Sequence, residues 1–150
     1  LGPMGQYSVR SRLKGYKRAL EEAEIQYDTR YLYQGDFTIQ TGMEALPHFI
    51  DLGVTAIFAY NDMMAYGVLQ YAKDNGIRIG TDLALIGYDD SFINDLLEVT
   101  LSSVRQPRSE VAQMATKCLV NAIKGRKEPE GTIMFQPVLY ERKSTQYQKK

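Results

Sequence analysis

Two apolar runs limit what this chain can fold into. Val54-Thr55-Ala56-Ile57-Phe58-Ala59-Tyr60 is apolar apart from one threonine, and Leu83-Ala84-Leu85-Ile86-Gly87-Tyr88 carries no charged side chain. Neither run alternates apolar with polar residues, so each predicts a strand of a parallel sheet covered on both faces. Each stops at a polar pair, Asn61-Asp62 and Asp89-Asp90, of the kind that ends strands and caps helices.

Helical periods fill the spaces between strands. Val9, Leu13, Tyr16, Leu20 and Ala23 predict a helix from Ser8 to Glu24, capped by Ser8, with Arg10, Arg12, Lys14 and Lys17 on its other faces. Thr29 to Tyr33 is short and β-prone, and Thr38 to Leu52 is helical through Ile39, Met43, Leu46 and Ile50, weakened or kinked by Gly42 and Pro47. Asn61-Asp62 cap a helix to Asn75 with Gly76 as its stop. Val99 to Val104 predicts a third buried strand. Pro107 and Arg108 open a helix through Val111, Ala115, Cys118, Leu119, Ala122 and Ile123, stopped by Gly125, and Thr132 to Ser144 is β-prone again. Leu1-Gly2-Pro3 reads as the last piece of a strand running into a turn, and without an initiating Met the chain is expected to be a fragment. The alternation predicts an α/β class: a three-layer open, largely parallel sheet with helices on both faces. A boundary is expected near Arg105-Gln106-Pro107.

Charge and composition remove several function classes. The 150 residues hold 18 basic and 18 acidic side chains, so no continuous phosphate-neutralising surface is available and nucleic-acid binding is not expected within this chain. No apolar run approaches the roughly 20 residues that span a bilayer, and the start lacks the cationic and apolar regions of an export signal. The single cysteine, Cys118, cannot form an internal disulfide, and the single histidine, His48, cannot build a His-rich metal site. Cys118 reads as packing and His48 as structural or surface. A glycine-rich phosphate loop and a Gly-x-Ser-x-Gly elbow are both missing from the sequence, and Asp89, Asp90, Asn94 and Asp95 do not follow the calcium-loop pattern. No catalytic residue, metal or cofactor is expected.

In open α/β sheets, ligands bind outside the carboxyl ends of the strands. Those ends lead to Ser8, Arg10 and Arg12; to Gly35-Asp36-Phe37; to Asn61-Asp62; and to Asp89-Asp90-Ser91. A guanidinium, an aromatic ring, a carboxamide and carboxylates suit a polyhydroxylated ligand, whose hydroxyls bond to the polar groups while the ring covers its C–H face. Each residue also has a plainer reading. Asp36, Asn61 and Asp62 precede helices and could be caps, Asp89-Asp90 a solvated turn, Phe37 a hydrophobic staple, and Arg12 part of a wet helix face.

At these positions the sequence resembles a known family. Arg10-Ser11-Arg12-Leu13-Lys14-Gly15-Tyr16, Gly35-Asp36-Phe37, the run from Ala56 to Gly67, Gly87-Tyr88-Asp89-Asp90-Ser91, Leu101 to Pro107 and Glu141 to Thr145 follow, in order and spacing, the C-terminal half of LacI/GalR-type transcriptional repressors. The resemblance implies one lobe of a periplasmic-binding-protein type I fold. Residues 1–106 would form the C-terminal effector-binding lobe, 107–126 a crossover helix packed on the other lobe, 127–145 the return strands, and 146–150 a disordered tail. It implies effector contacts from Arg12, Phe37, Asn61 and Asp89, supported from behind by Arg10, Asp36, Asp62, Asp90 and Ser91. The implied effector is a sugar or related metabolite, and operator DNA would be bound only through an N-terminal segment outside this chain. A cytoplasmic homodimer is implied, with Met63, Met64, Tyr66, Phe92, Leu96 and Leu97 at its interface. The different-class alternative is a periplasmic sugar-binding protein of a transporter; the Gly87 to Ser91, Ser103 to Pro107 and Arg142 to Thr145 motifs favour the repressor. The sequence departs from the family where Glu98-Val99-Thr100 stands in place of a proline, and at Pro47. Without the other lobe, the crossover helix is expected to dock on a neighbouring chain or be displaced.

Overall fold

A computed structural model describes residues 1–126 and 131–146. In chain order it contains α1 (Tyr7–Glu22), α2 (Ile39–Asp51), β1 (Ala56–Phe58), α3 (Asp62–Asp74), β2 (Ala84–Tyr88), β3 (Ser102–Arg105), α4 (Arg108–Ile123) and β4 (Val138–Tyr140). The strands form one sheet in the order β1-β2-β3-β4. The first three are parallel, with Ala56 opposite Ala84 and Ile86 opposite Ser102, and β4 runs antiparallel to β3 with Ser103 opposite Tyr140. The α/β class and the largely parallel sheet are borne out, with one antiparallel edge strand. No helix among the described residues is long and apolar enough to cross a membrane.

The core lies between α2, α3 and the sheet, around Leu46, Ala65, Val68, Leu85 and Leu101. Two glycines let the helices touch. A Cβ on Gly42 would lie 2.0 Å from the Met64 carbonyl oxygen, and one on Gly67 would lie 1.9 Å from that of Ile39. Gly42, expected to weaken its helix, is instead a contact point, and α2 continues through Pro47. Thr38 and Asn61 cap α2 and α3 by accepting from the Thr41 and Met64 amides.

Five expectations change. The first helix starts at Tyr7 after Gln6, which makes no side-chain cap bond; Ser8 lies inside the helix. Thr29–Tyr31 is a 3-10 turn rather than a strand, because Asp28 accepts from the Arg30 amide and pairs with its guanidinium, curling the chain. β1, expected to be covered on both faces, lies at the sheet edge: it pairs only with β2 among the described residues, and Phe58 is half exposed. A cavity of about 190 Å³ is lined by Ala56, Ile57 and Phe58 of β1 together with Leu32 and Tyr33, and the Leu1 amine donates to the Tyr33 carbonyl at 2.7 Å. Finally, α4 buries none of its residues, so Cys118, expected in packing, is only half-buried. Among the described residues of the expected return segment, Val138–Tyr140 forms the one strand; residues 127–130 and 147–150, which include most of the expected tail, lie outside the described residues.

Candidate functional site

The carboxyl ends of β1 and β2 and the amino ends of α1 and α2 bring three of the four expected contacts into one chain of interactions. Arg12, on α1, lies with its guanidinium between two rings, 4.1 Å from the centroid of Tyr60 and 3.4 Å from that of Tyr88. It also donates to the Tyr60 carbonyl. It is therefore a stacked group rather than part of a wet face. The Tyr60 ring lies 4.8 Å from the ring of Phe37, and the Tyr60 hydroxyl donates to Ser8 Oγ at 2.7 Å. Asn61 serves both readings at once. Its Oδ1 accepts from the Met64 amide at 2.9 Å as the α3 cap, while its Nδ2 donates to the Phe37 carbonyl at 3.1 Å.

Backbone strain gathers in the same place. Phe37 (φ 74°), Asp89 (φ 110°) and Asp90 (φ 49°) are three of the four non-glycine residues with positive φ among those described. A bulky aromatic in that region is held there by its surroundings. For Phe37 the Asn61 bond to its carbonyl and the close approach of Gly2, where a Cβ would meet the ring, supply the constraint.

Asp89 follows the stacked Tyr88 but makes its contacts with Gln106 and Arg108 instead. Its Oδ1 accepts from Gln106 Nε2 at 3.0 Å, its carbonyl accepts from Arg108 at 3.0 Å, and the Arg108 guanidinium lies 3.4 Å from Oδ1. These groups line an opening of about 370 Å³ beside the start of α4. The fourth expected contact thus faces the residues that lead into α4.

The supporting residues divide. Arg10 turns away, donating to the Gly5 carbonyl at 2.8 Å, so it does not back the site. Asp36 accepts from the Thr38 and Thr41 hydroxyls and from the Thr38 amide, which together hold its carboxyl down at about 2. Asp62 is buried and accepts from Ser91, Asn94 and Ser103. Asp90, whose side chain is 1% exposed, lies between Arg105 at 2.5 Å and Arg142 at 2.8 Å. Burial alone would push its carboxyl up; the two guanidinium bonds overcome that and hold it below the ordinary value. Ser91 caps the 3-10 turn Phe92–Asp95.

Tyr60, Tyr88, Gln106, Arg108 and Arg142 were not among the expected site residues. The two tyrosines end the apolar runs, so strand patterning absorbs them; only the aromatic at the last position of each run hints at a stacking role. Among the expected interface residues, Met64 is corrected. It is 5% exposed and packs in the core because it follows Asp62 by one half-turn onto the α2 side. Tyr66 and Leu97 are half-buried, whereas Met63, Phe92 and Leu96 are exposed, the last two at 78% and 76%. His48 is exposed, with Nε2 2.9 Å from the Arg30 carbonyl oxygen.

The periplasmic binding protein-like domain matches residues 1–145. The chain belongs to that family. Among curated relatives, the HTH-type transcriptional repressor CytR of Escherichia coli strain K12 is 34% identical over 136 residues, covering 89% of this chain and 40% of the relative. A solved regulatory protein of the LacI family from Chloroflexus aggregans superposes with a TM-score of 0.88 at 36% identity, covering 95% of this chain and 52% of that one. The complex of the transcriptional regulator CelR with cellobiose gives a TM-score of 0.84 at 32% identity, covering 95% and 44%. This periplasmic binding protein-like chain therefore spans about two fifths of the curated relative's length, and the resemblance to LacI/GalR-type regulators is borne out. These relatives are transcriptional regulators.

Proposed function

We propose that this chain is the C-terminal effector-binding lobe of a LacI-type repressor, without a catalytic step of its own. Residues 1–106 and 127–145 make the lobe and 107–126 the crossover helix that packs on the other lobe. The effector is a sugar or sugar-like metabolite held by Arg12, Phe37, Asn61 and Asp89. The observation that carries this reading is the convergence of a ring-stacked guanidinium, an aromatic ring and a cap amide at the strand ends, with positive φ at Phe37 and Asp89. Preorganised donors, acceptors and a ring face are what a polyhydroxylated molecule needs. The cellobiose complex of CelR supports the ligand class. An effector that fits one relative orientation of the lobes better than another would shift the DNA-binding state by that difference in affinity. The working unit is a cytoplasmic homodimer formed through Met63, Phe92 and Leu96, and operator DNA is met only through a segment outside this chain.

Titration calorimetry with pentoses, hexoses, cellobiose and other disaccharides, and purines is the test. The sugar that binds should lose about tenfold or more in affinity to Asp89→Ala, the usual cost of a charged hydrogen bond. Unchanged affinity in Asp89→Ala would remove Asp89 from the site. Reading the gene upstream of Leu1 gives a second check: a helix-turn-helix agrees with a repressor, and a signal peptide overturns it.

A further inference from the structure

Asp62 is 3% exposed and, among the described residues, accepts its hydrogen bonds from neutral donors alone. Its Oδ2 accepts from the Ser91 amide at 2.8 Å and from Asn94 Nδ2 at 2.9 Å, and its Oδ1 accepts from Ser103 Oγ at 2.6 Å. Gly87 makes room for it: a Cβ there would lie 2.2 Å from Oδ1. The donors reach further. Ser103 Oγ also accepts from the Asp90 amide at 3.0 Å, and Asn94, fully buried, accepts at Oδ1 from the Tyr66 hydroxyl at 2.7 Å and through its carbonyl from the Leu101 amide. A helix cap needs one of these bonds, and Asn61 already supplies the cap of α3. Three donors on one buried carboxylate serve another end.

That end is the segment 89–97. At one extremity stand Asp89 and Asp90, both at positive φ; at the other stand Phe92 and Leu96, the most exposed large apolar residues of this segment. Arg142 bridges the segment on its outer side, from Asp90 at 2.8 Å to Asp95 at 2.6 Å. We propose that Asp62 is the buried positioning residue that makes these two ends one rigid unit, so that a change at Asp89 is felt at Phe92 and Leu96. Ser103 ties the Asp90 end to Oδ1, Ser91 and Asn94 tie the other end to Oδ2, and the α3 amino terminus anchors both, one residue from Asn61. The same carboxylate therefore links the strand-end groups to the exposed apolar face. The proposal rests on the effector-site reading only for its biological meaning; the mechanical link stands or falls alone.

Hydrogen exchange of the 92–97 amides, followed by mass spectrometry, tests it in wild type, Asp62→Asn, Asp89→Asn and the double variant, and needs neither ligand nor dimer. Asp62→Asn keeps the shape but turns an acceptor into a donor facing donors. Exchange in 92–97 is expected to rise about tenfold in Asp62→Asn, and Asp89→Asn to raise it severalfold in wild type but not further once Asp62 is replaced. The same factor for Asp89→Asn in both backgrounds, or no effect in wild type, overturns the coupling. Should Asp62→Asn fail to fold, Ser103→Ala takes its place, with Ser103→Thr, which retains the hydroxyl, restoring the wild-type response; an Asp89 effect that persists in Ser103→Ala likewise overturns it. A failed sugar screen with intact coupling would strike the effector reading and leave Asp62 in its role.

Discussion

α3 and α4 carry similar apolar stripes and meet opposite fates. α3 buries Met64, Ala65, Gly67, Val68 and Ala72 against α2 and the sheet, whereas α4 buries nothing and leaves Val111, Leu119 and Ile123 exposed. Their ends differ in the same sense: Asn61 caps α3 with a side-chain bond, and Pro107 precedes α4 without one. Periodicity identifies a helix and the face that seeks cover, but the cover itself comes from elsewhere in the fold. α3 finds it because Gly42 and Gly67 bring two backbones into contact. α4 leaves the sheet at Arg105 and returns at Val138, and nothing among the described residues closes over it.

The largest break in this contrast is Leu85→Ala. Leu85 is fully buried at the centre of the core, and its truncation is expected to cost about 3 kcal/mol in denaturant unfolding. Next is Gly67→Ala, whose Cβ would lie 1.9 Å from a backbone oxygen that cannot swing aside. Separating α3 from α2 should cost about 2 kcal/mol, against the slight gain alanine gives in an open helix. A stabilised Gly67→Ala protein in the same unfolding experiment would show that the helices do not touch at that point.

Much of this contrast was legible from residues alone. The runs ending at Tyr60 and Tyr88 placed two parallel strands, and Asn61 and Thr38 marked helix starts that the structure keeps. The strand-end rule points to Arg12, Phe37 and Asn61 because the loops after the strands of an open α/β sheet converge where ligands bind. What was hidden depends on distance across the fold. Gly42 looked like a helix breaker because its partner, Gly67, lies on another helix. Arg12 looks solvated in the sequence because the rings that stack on it, Tyr60 just beyond β1 and Tyr88 at the end of β2, lie far from it along the chain. Asp62 looked like a second cap because its donors, Ser91, Asn94 and Ser103, lie at least 29 residues away.

Acid tests the capped ends selectively. Asp36 is held at about 2 by the Thr38 and Thr41 hydroxyls, below the ordinary carboxylate value. A depressed folded-state value contributes stability that is present above about pH 4, the unfolded value, and is lost as pH falls toward 2. Stability of wild type should therefore decline over that window, and Asp36→Asn should remove part of the decline while changing little at pH 7 beyond the loss of the hydroxyl acceptor. An identical pH profile in Asp36→Asn, measured by thermal melts, would assign the acid sensitivity to other groups, Asp90 between its two arginines first among them.

The smallest expected effect is the sharpest check on α4. Leu119 is 62% exposed, so Leu119→Ala removes apolar surface that is already in water and should change unfolding stability by less than about 0.5 kcal/mol. Leucine and alanine differ little in helix propensity, so the helix itself should not register the change. A loss approaching that of Leu85→Ala would mean that something covers the stripe in solution. A loss that grows with protein concentration would identify the cover as a second copy of the chain, because only an intermolecular contact obeys mass action. The near-zero result leaves α4 as a face awaiting the other lobe, in keeping with its proposed role as the crossover.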